Sequence, residues 1–228
     1  MIFVKLLLSA FLVSVSGEKH SSSKRGLVYV YSDDQSDDSV WDTTNTDITW
    51  YYNYGAYPTS SLDLEFVPML WGDRDSDTNP PFHETVKGLI DGGSNIKYVL
   101  GFNEPDLCDG TGGSCVSAQK AASIWREQIE PLKKLGVKLG APSVTNGPMG
   151  GPWLADFFAH CDGKCTVDFL PLHWYGAFDY VPDYLNGFRS TYENISTIWV
   201  TEFADPSVSL EETQAFFNSS VACFDNTS

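Results

Sequence analysis

Two glutamates stand at the ends of apolar segments, where a buried carboxylate needs a partner or a purpose. Glu104 follows the segment YVLGFN, and Glu202 follows IWV and one threonine. Either glutamate alone would favour a salt bridge or a helix cap. Two together can carry out the hydrolysis of a glycosidic bond, in which one carboxyl protonates the leaving oxygen and the other attacks the sugar or activates water. This pair makes glycoside hydrolysis the leading hypothesis.

The elements that must position these glutamates alternate between strand and helix. Short apolar runs predict seven strands, at Leu27–Tyr31, Ile48–Tyr54, Leu64–Trp71, Tyr98–Asn103, Lys138–Ser143, Phe169–Trp174 and Ile198–Glu202. Helical patterns are found at Ser117–Leu135, Pro152–His160, Asp183–Tyr192 and Leu210–Cys223. Such alternation predicts an α/β fold with parallel strands and crossover helices, either a (β/α)8 barrel or a doubly wound sheet.

The carboxyl ends of the predicted strands carry most of the polar and aromatic side chains. In a barrel, functional residues gather at those ends. Sugar rings have apolar faces that pack on aromatic side chains. The candidates for sugar binding are Tyr54, Trp71, Trp174 and Tyr175, whereas Trp125 and Trp199 are assigned to the core.

The motifs GFNEPD, PLHWYG and WVTEFA, in this order and spacing, resemble glycoside hydrolase family 128. Members of this family are secreted fungal β-1,3-glucanases, grouped with the alkali-sensitive-linkage cell-wall proteins. The resemblance runs from about Arg25 to the end of the chain. It implies a (β/α)8 TIM-type barrel, internal cleavage of β-1,3-glucan, Glu104 as the acid/base and Glu202 as the nucleophile.

The resemblance also implies how the substrate is held. Asn103 would hydrogen-bond the sugar 2-hydroxyl, and His173 and Tyr175 would orient the nucleophile or hold the sugar. A separation of about 5–5.5 Å between the two carboxyl groups would indicate a retaining double displacement, and one above about 6.5 Å would favour inversion. We expect retention.

The family continues beyond the helix after WVTEFA into a final strand that has no counterpart in this sequence. We therefore expect a barrel lacking its last strand, formed by residues 18–228 as one C-terminally incomplete catalytic domain. Two alternatives stay open. The chain could be a non-catalytic glucan-binding or cell-wall protein, or a transglycosylase that uses the same carboxylates.

Several features predict export. Residues 1–17 have one early lysine, an apolar run and small residues near a cleavage site, as a signal peptide does, and the run is too short to span a membrane. The sequons at Asn194, Asn218 and Asn226 are potential glycosylation sites. We expect a secreted protein located outside the cell or in the cell wall.

Export makes the five cysteines candidates for disulfide bonds. Cys108 and Cys115 flank a glycine-rich loop, and Cys161 and Cys165 flank a short turn. We predict the bonds 108–115 and 161–165, with Cys223 left over. No CxxC or HExxH motif is present, and we predict no metal site and no cofactor.

The net charge makes nucleic acid a poor partner. The chain has 14 Lys and Arg against 30 Asp and Glu, a formal charge of −16. Phosphate binding requires clustered cationic side chains, which are absent here. A neutral polymer such as β-glucan suits this surface better, and we expect a monomer with no membrane span.

Overall fold

The computed structural model describes residues 24–30, 41, 47–58 and 63–227. The predicted signal peptide, residues 1–17, lies outside the described residues. The described residues contain seven strands: β1 Arg25–Val28, β2 Ile48–Tyr52, β3 Glu65–Phe66, β4 Tyr98–Val99, β5 Lys138–Leu139, β6 Leu170–Tyr175 and β7 Ile198–Ala204. They also contain six α-helices: α1 Asp75–Thr78, α2 Phe82–Asp91, α3 Ala118–Gln128, α4 Gly150–Cys161, α5 Val181–Thr191 and α6 Leu210–Asn226.

The strand pairings are all parallel and follow the order of the chain. Three short sheets contain β1–β2–β3, β4–β5 and β6–β7. Single-residue bridges connect the sheets, with Met69 opposite Leu100 and Gly140 opposite Phe169. Among the described residues no pairing joins β7 to β1, so the strands form short sheets rather than the closed barrel of the resemblance. The predicted alternating α/β architecture is present.

Alternate residues of the strands face two apolar layers, as the two-residue period of a strand requires. One layer contains Tyr52, Met69 and Phe169, and Trp199 packs against it, with its ring centroid 4.5 Å from that of Phe169. The other layer lies between strands and helices and includes Trp125, which is fully buried. Both tryptophans assigned to the core from the sequence pack in these layers.

The helices differ from the sequence prediction at three places. Ser117 caps α3, but the helix ends at Gln128 and continues as a 3-10 helix, Glu130–Leu135, rather than as one α-helix. Pro131 explains the break, because proline lacks an N–H and clashes with the preceding turn. The helices α1 and α2 were not predicted. The longer one, α2, follows Pro81 and buries Phe82 and Val86 at helical spacing.

The predicted glycosylation sites lie on the surface of the protein, and the predicted disulfides are formed. Asn194, Asn218 and Asn226 are all exposed. Both predicted disulfides, Cys108–Cys115 and Cys161–Cys165, are formed, and Cys223 is free. In the part of the chain that the structure describes, no helix combines the length and the apolar character needed to cross a membrane.

Candidate active site

The two glutamates of the sequence motifs meet at one end of the strands. Glu104 follows β4, and Glu202 lies in β7. One oxygen of each carboxylate and a ring nitrogen of His173 lie within 4.8 Å of one another. His173 Nδ1 is 2.9 Å from Glu104 Oε1 and 3.4 Å from Glu202 Oε2. The histidine is completely buried, so it lies behind both carboxylates rather than in contact with solvent.

An irregularity in the β6–β7 pairing brings His173 and Glu202 to the same face. Leu172 pairs with Val200, but His173 pairs with Glu202, so Thr201 is an extra residue in β7. Bulges of this kind re-aim a side chain next to an active site. In a regular ladder, Thr201 would stand opposite His173, and Glu202 would point to the other face.

The same alternation explains why Trp174 does not lie in the cleft, contrary to the sequence expectation. His173 and Tyr175 point toward the glutamates, so Trp174 between them must point to the helix side. It is 8% exposed, and its ring centroid lies 5.0 Å from that of Tyr184. The Trp174 indole N–H donates to the Gly176 carbonyl at 2.9 Å. Trp174 is therefore a packing residue beside the site.

The backbone at Glu104 breaks the strand alternation in another way. Glu104 has φ +41°, in the left-handed region that a non-glycine residue rarely adopts. The turn allows the consecutive side chains of Asn103 and Glu104 both to line the cleft. The Glu104 N–H donates to the Ser143 carbonyl at 2.8 Å, which anchors the turn to the segment that follows β5. Backbone strain of this kind clusters at functional sites.

Three tyrosines donate hydrogen bonds to Glu202. The hydroxyl of Tyr54 donates to Oε1 at 2.7 Å, and that of Tyr175 donates to Oε2 at 2.7 Å. The hydroxyl of Tyr52 lies 3.2 Å from Oε1 and 3.3 Å from the Thr201 carbonyl. Burial raises the pKa of each phenol, and the Glu202 carboxylate raises it further. The tyrosines therefore remain protonated donors at neutral pH.

The glutamates lie in a cleft of about 610 Å³. Its lining residues are Tyr54, Trp71, Asn103, Glu104, Leu107, Thr111, Gly112, Thr145, Tyr175 and Glu202. Six of these were candidate site residues in the sequence. The volume of the cleft and its mixed polar and aromatic lining are typical of a site for a small molecule or an oligosaccharide.

Residues that the sequence reading did not select contribute to the site. Tyr52 could have been found, because it ends β2, where the end-of-strand rule applies. Thr145 lies beyond β5, next to Val144, which forms a bridge with Leu172. Asp106 accepts hydrogen bonds from the Thr145 N–H at 3.0 Å and its hydroxyl at 2.5 Å. Thr111 and Gly112 belong to the loop closed by the first disulfide, for which the sequence carried no positional signal.

The donor atoms of Glu104, His173 and Glu202 are also close enough together to bind a metal ion. Tyrosine hydroxyls already donate to both oxygens of Glu202, however. Part of the acceptor capacity of that carboxylate is therefore already used by protein donors.

Comparisons with known proteins agree with this geometry. A family model described as the glycosyl hydrolase catalytic core matches residues 26–228. The chain is 36% identical over 188 residues to alkali-sensitive linkage protein 1 of Schizosaccharomyces pombe (strain 972 / ATCC 24843). That alignment covers 80% of this chain and 32% of the relative, so the chain spans about a third of the relative's length.

Solved structures of glycoside hydrolase family 128 are also similar. A curdlan-specific exo-β-1,3-glucanase of subgroup III from Blastomyces gilchristii, in complex with glucose, has a TM-score of 0.77 at 28% identity, covering 91% of this chain and 87% of its own. A subgroup I endo-β-1,3-glucanase from Amycolatopsis mediterranei, in complex with laminaritriose, has a TM-score of 0.68 at 30% identity. That match covers 90% of this chain and 85% of the other.

Proposed function

Because the chain belongs to the glycosyl hydrolase catalytic cores, and within them to family 128 as its motifs predict, we propose that it cleaves β-1,3-glucan by a retaining double displacement. The observation that carries this proposal is the approach of the two carboxylates, with one oxygen of each within 4.8 Å of the other. Retaining glycosidases hold their carboxyl groups about 5–5.5 Å apart, whereas inverting enzymes need about 6.5–9.5 Å to admit a water molecule.

The surroundings of the glutamates favour Glu202 as the nucleophile. It accepts hydrogen bonds from Tyr54 and Tyr175 on different oxygens. The two donors fix the plane of the carboxylate relative to the cleft. Glu104 has His173 Nδ1 as its side-chain partner at 2.9 Å and is the proposed acid/base residue.

The proposed reaction has two steps. Glu104 gives its proton to the glycosidic oxygen while an oxygen of Glu202 attacks the anomeric carbon, so the C–O bond to the leaving sugar breaks and a glycosyl ester forms. Glu104, now a carboxylate, then takes a proton from water. The resulting hydroxide attacks the anomeric carbon, and Glu202 leaves as a carboxylate. Two inversions give net retention.

The substrate class comes from the relatives. The similar solved structures include a curdlan-specific exo-β-1,3-glucanase with glucose and an endo-β-1,3-glucanase with laminaritriose. We propose β-1,3-glucan as the polymer and cleavage at internal linkages. Tyr175 supports an accessible cleft, because its side chain is 44% exposed even though its hydroxyl bonds to Glu202.

We extend the proposal to the fold and the location of the protein. The seven parallel strands would be those of a (β/α)8 barrel with its closing position between β7 and β1. Contacts across the interior support this, since the Trp50 and Trp199 ring centroids lie 4.8 Å apart and Tyr52 on β2 reaches Thr201 on β7. Two disulfides support a secreted protein, because such bonds persist in oxidising compartments.

The test is the release of reducing ends from laminarin by the full chain, compared with Glu104→Gln and Glu202→Gln variants. Removal of an acid/base residue typically lowers the rate by about 10²–10⁴-fold. In the presence of azide, Glu202→Gly should form the α-glycosyl azide. With an activated aryl glycoside as substrate, Glu104→Ala should form the β-glycosyl azide. NMR of the anomeric proton distinguishes these products.

Product lengths test the remaining details. Internal cleavage yields a ladder of laminari-oligosaccharides from the first minutes, whereas cleavage from the chain end yields glucose alone. Products longer than the substrate would favour the transglycosylase alternative. Binding of laminarin by the unmodified chain without any cleavage would overturn the enzymatic proposal in favour of a glucan-binding protein.

A further inference from the structure

The loop closed by Cys108–Cys115 lies directly beside the proposed acid/base residue. Its backbone is tied to the turn that carries Glu104, since Leu107 N–H donates to the Glu104 carbonyl at 3.0 Å and Ser114 N–H donates to the Asn103 carbonyl at 2.9 Å. Thr111 and Gly112 line the cleft. The loop therefore forms part of the cleft wall and contacts the backbone of both residues of the NE pair.

The loop also fixes the orientation of the Asn103 amide. Asn103 is 4% exposed, and its Nδ2 donates to the Gly112 carbonyl at 3.3 Å. Its Oδ1 is buried and accepts no hydrogen bond from the described protein. If the Asn103 amide were flipped, its Oδ1 would face the Gly112 carbonyl oxygen, and two acceptors would meet. The Gly112 carbonyl therefore selects one orientation of the amide. The Asn103 side chain is thereby held in one orientation next to Glu104 in the chain.

The loop is held in place at several points. A Cβ at Gly113 would lie 2.4 Å from the Leu107 carbonyl oxygen and 2.6 Å from that of Glu104, so only glycine allows this close approach. Asp109 braces the loop internally, because its Oδ1 accepts from the Thr111 N–H at 2.9 Å and from its hydroxyl at 2.6 Å. The disulfide joins the two ends of the braced segment.

We propose that the disulfide-closed loop 108–115 is a positioning element of the catalytic centre. It holds the Gly112 carbonyl against the Asn103 amide and so fixes the orientation of the Asn103 side chain beside Glu104 in the wall of the cleft. The inference rests on the proposed function and adds the part of the chain that orients one of its binding groups.

The first test compares two disulfide-free variants of the full chain. Cys108→Ser/Cys115→Ser should lower kcat on laminarin about 5–10-fold, as expected when one neutral hydrogen bond in the reacting complex is lost. Cys161→Ser/Cys165→Ser is the matched control, because that bond closes a turn at the end of α4 and lines no part of the cleft. Its kcat should equal that of the unmodified chain. Equal losses in both variants would overturn the proposal.

A double-mutant cycle shows whether the loop acts through Asn103. Asn103→Ala removes the amide that the loop orients, so removal of the Cys108–Cys115 bond in that background should cause no further loss of kcat. Independent, multiplicative losses would show that the loop affects catalysis by another route and would refute the proposal. Thermal unfolding of every variant separates a loss of folded protein from a loss of positioning.

Two further measurements keep the proposal testable if the serine variants do not fold or if laminarin is not the substrate. Gly113→Ala keeps the disulfide but pushes the loop away from the Glu104 carbonyl, with Gly187→Ala on α5 as control, since nothing lies within 4 Å of the Cβ it would gain. The NMR signals of the Asn103 side-chain amide report the Gly112 contact without any substrate. They should shift in Gly113→Ala and stay unchanged in Gly187→Ala. Unchanged signals in both would refute the inference, whereas an inactive parent with the expected shift would refute only the proposed activity.

Discussion

Arg74 covers one face of Trp71, the tryptophan in the wall of the cleft. The guanidinium carbon lies 3.9 Å from the centre of the ring. Asp77 holds the guanidinium with two hydrogen bonds, each 2.9 Å long, and is itself only 8% exposed. The other face of the ring is thus the one available to a sugar. We predict that Arg74→Ala weakens substrate binding by freeing the indole.

The size of the effect follows from the exposure of Arg74, which is 57%. A cation–π contact at an exposed site contributes about 0.5–1 kcal/mol. If this energy fixes the ring for stacking, its loss should raise KM for laminari-oligosaccharides about 2–5-fold at unchanged kcat, at about 1.4 kcal/mol per tenfold. Arg74→Lys should recover part of the loss, because lysine keeps the charge but not the planar fork.

The assay is steady-state hydrolysis of laminari-oligosaccharides with Lys120→Ala as the matched control. Lys120 pairs with Asp73 in the same region and is 59% exposed, but it does not stack on the indole. Its KM should not change. If Arg74→Ala raises KM equally in a Trp71→Ala background, the arginine does not act through the ring and the reasoning fails.

Two other substitutions test the packing and the electrostatics around the site. Gly150→Ala should lower the free energy of unfolding by about 1–3 kcal/mol, because the new Cβ would lie 2.1 Å from the Thr145 carbonyl oxygen. Thermal unfolding measures this loss. The neighbouring Gly151→Ala is the control and should show little change, because nothing lies within 4 Å of its new Cβ. In Tyr54→Phe the free energy of unfolding should fall less steeply as the pH rises, as measured by urea unfolding between about pH 8 and 11. Burial and the charge of Glu202 raise the Tyr54 pKa above its ordinary value of 10.0, so above that pH the unfolded chain loses the proton first and the folded state is penalised; a decline as steep as that of the unmodified chain would contradict this cause.

The positions of the strands and of the two glutamates could be predicted because they depend on local apolar runs and on the end-of-strand rule. All seven predicted strands have counterparts in the structure, although most are shorter and several neighbours meet only through single-residue bridges. The position of Trp174 was also accessible to sequence reasoning. Consecutive residues of one strand cannot all face one cleft, so His173 and Tyr175 in the site exclude the residue between them.

Other features depend on tertiary geometry that a single sequence does not contain. The extra residue Thr201 decides which face Glu202 occupies, and nothing in the letters IWVTEF reveals a bulge. The left-handed backbone at Glu104 is similar, since glutamate has no preference for that conformation. The contact between the Gly112 carbonyl and Asn103 arises only when a glycine-rich loop folds back on the strand end.

The two disulfides have a consequence for how the protein can be produced. They close loops with sequence separations of only 7 and 4 residues, so the chain-entropy model gives each about 2 kcal/mol, near the low end for such bonds. Most of the core consists of other side chains, and a chain expressed in the reducing cytoplasm of a bacterial host should still fold. Such a preparation would have the normal circular dichroism spectrum but an open segment beside Glu104. Spectroscopic proof of folding is thus insufficient for this molecule, and titration of free thiols should accompany every activity measurement.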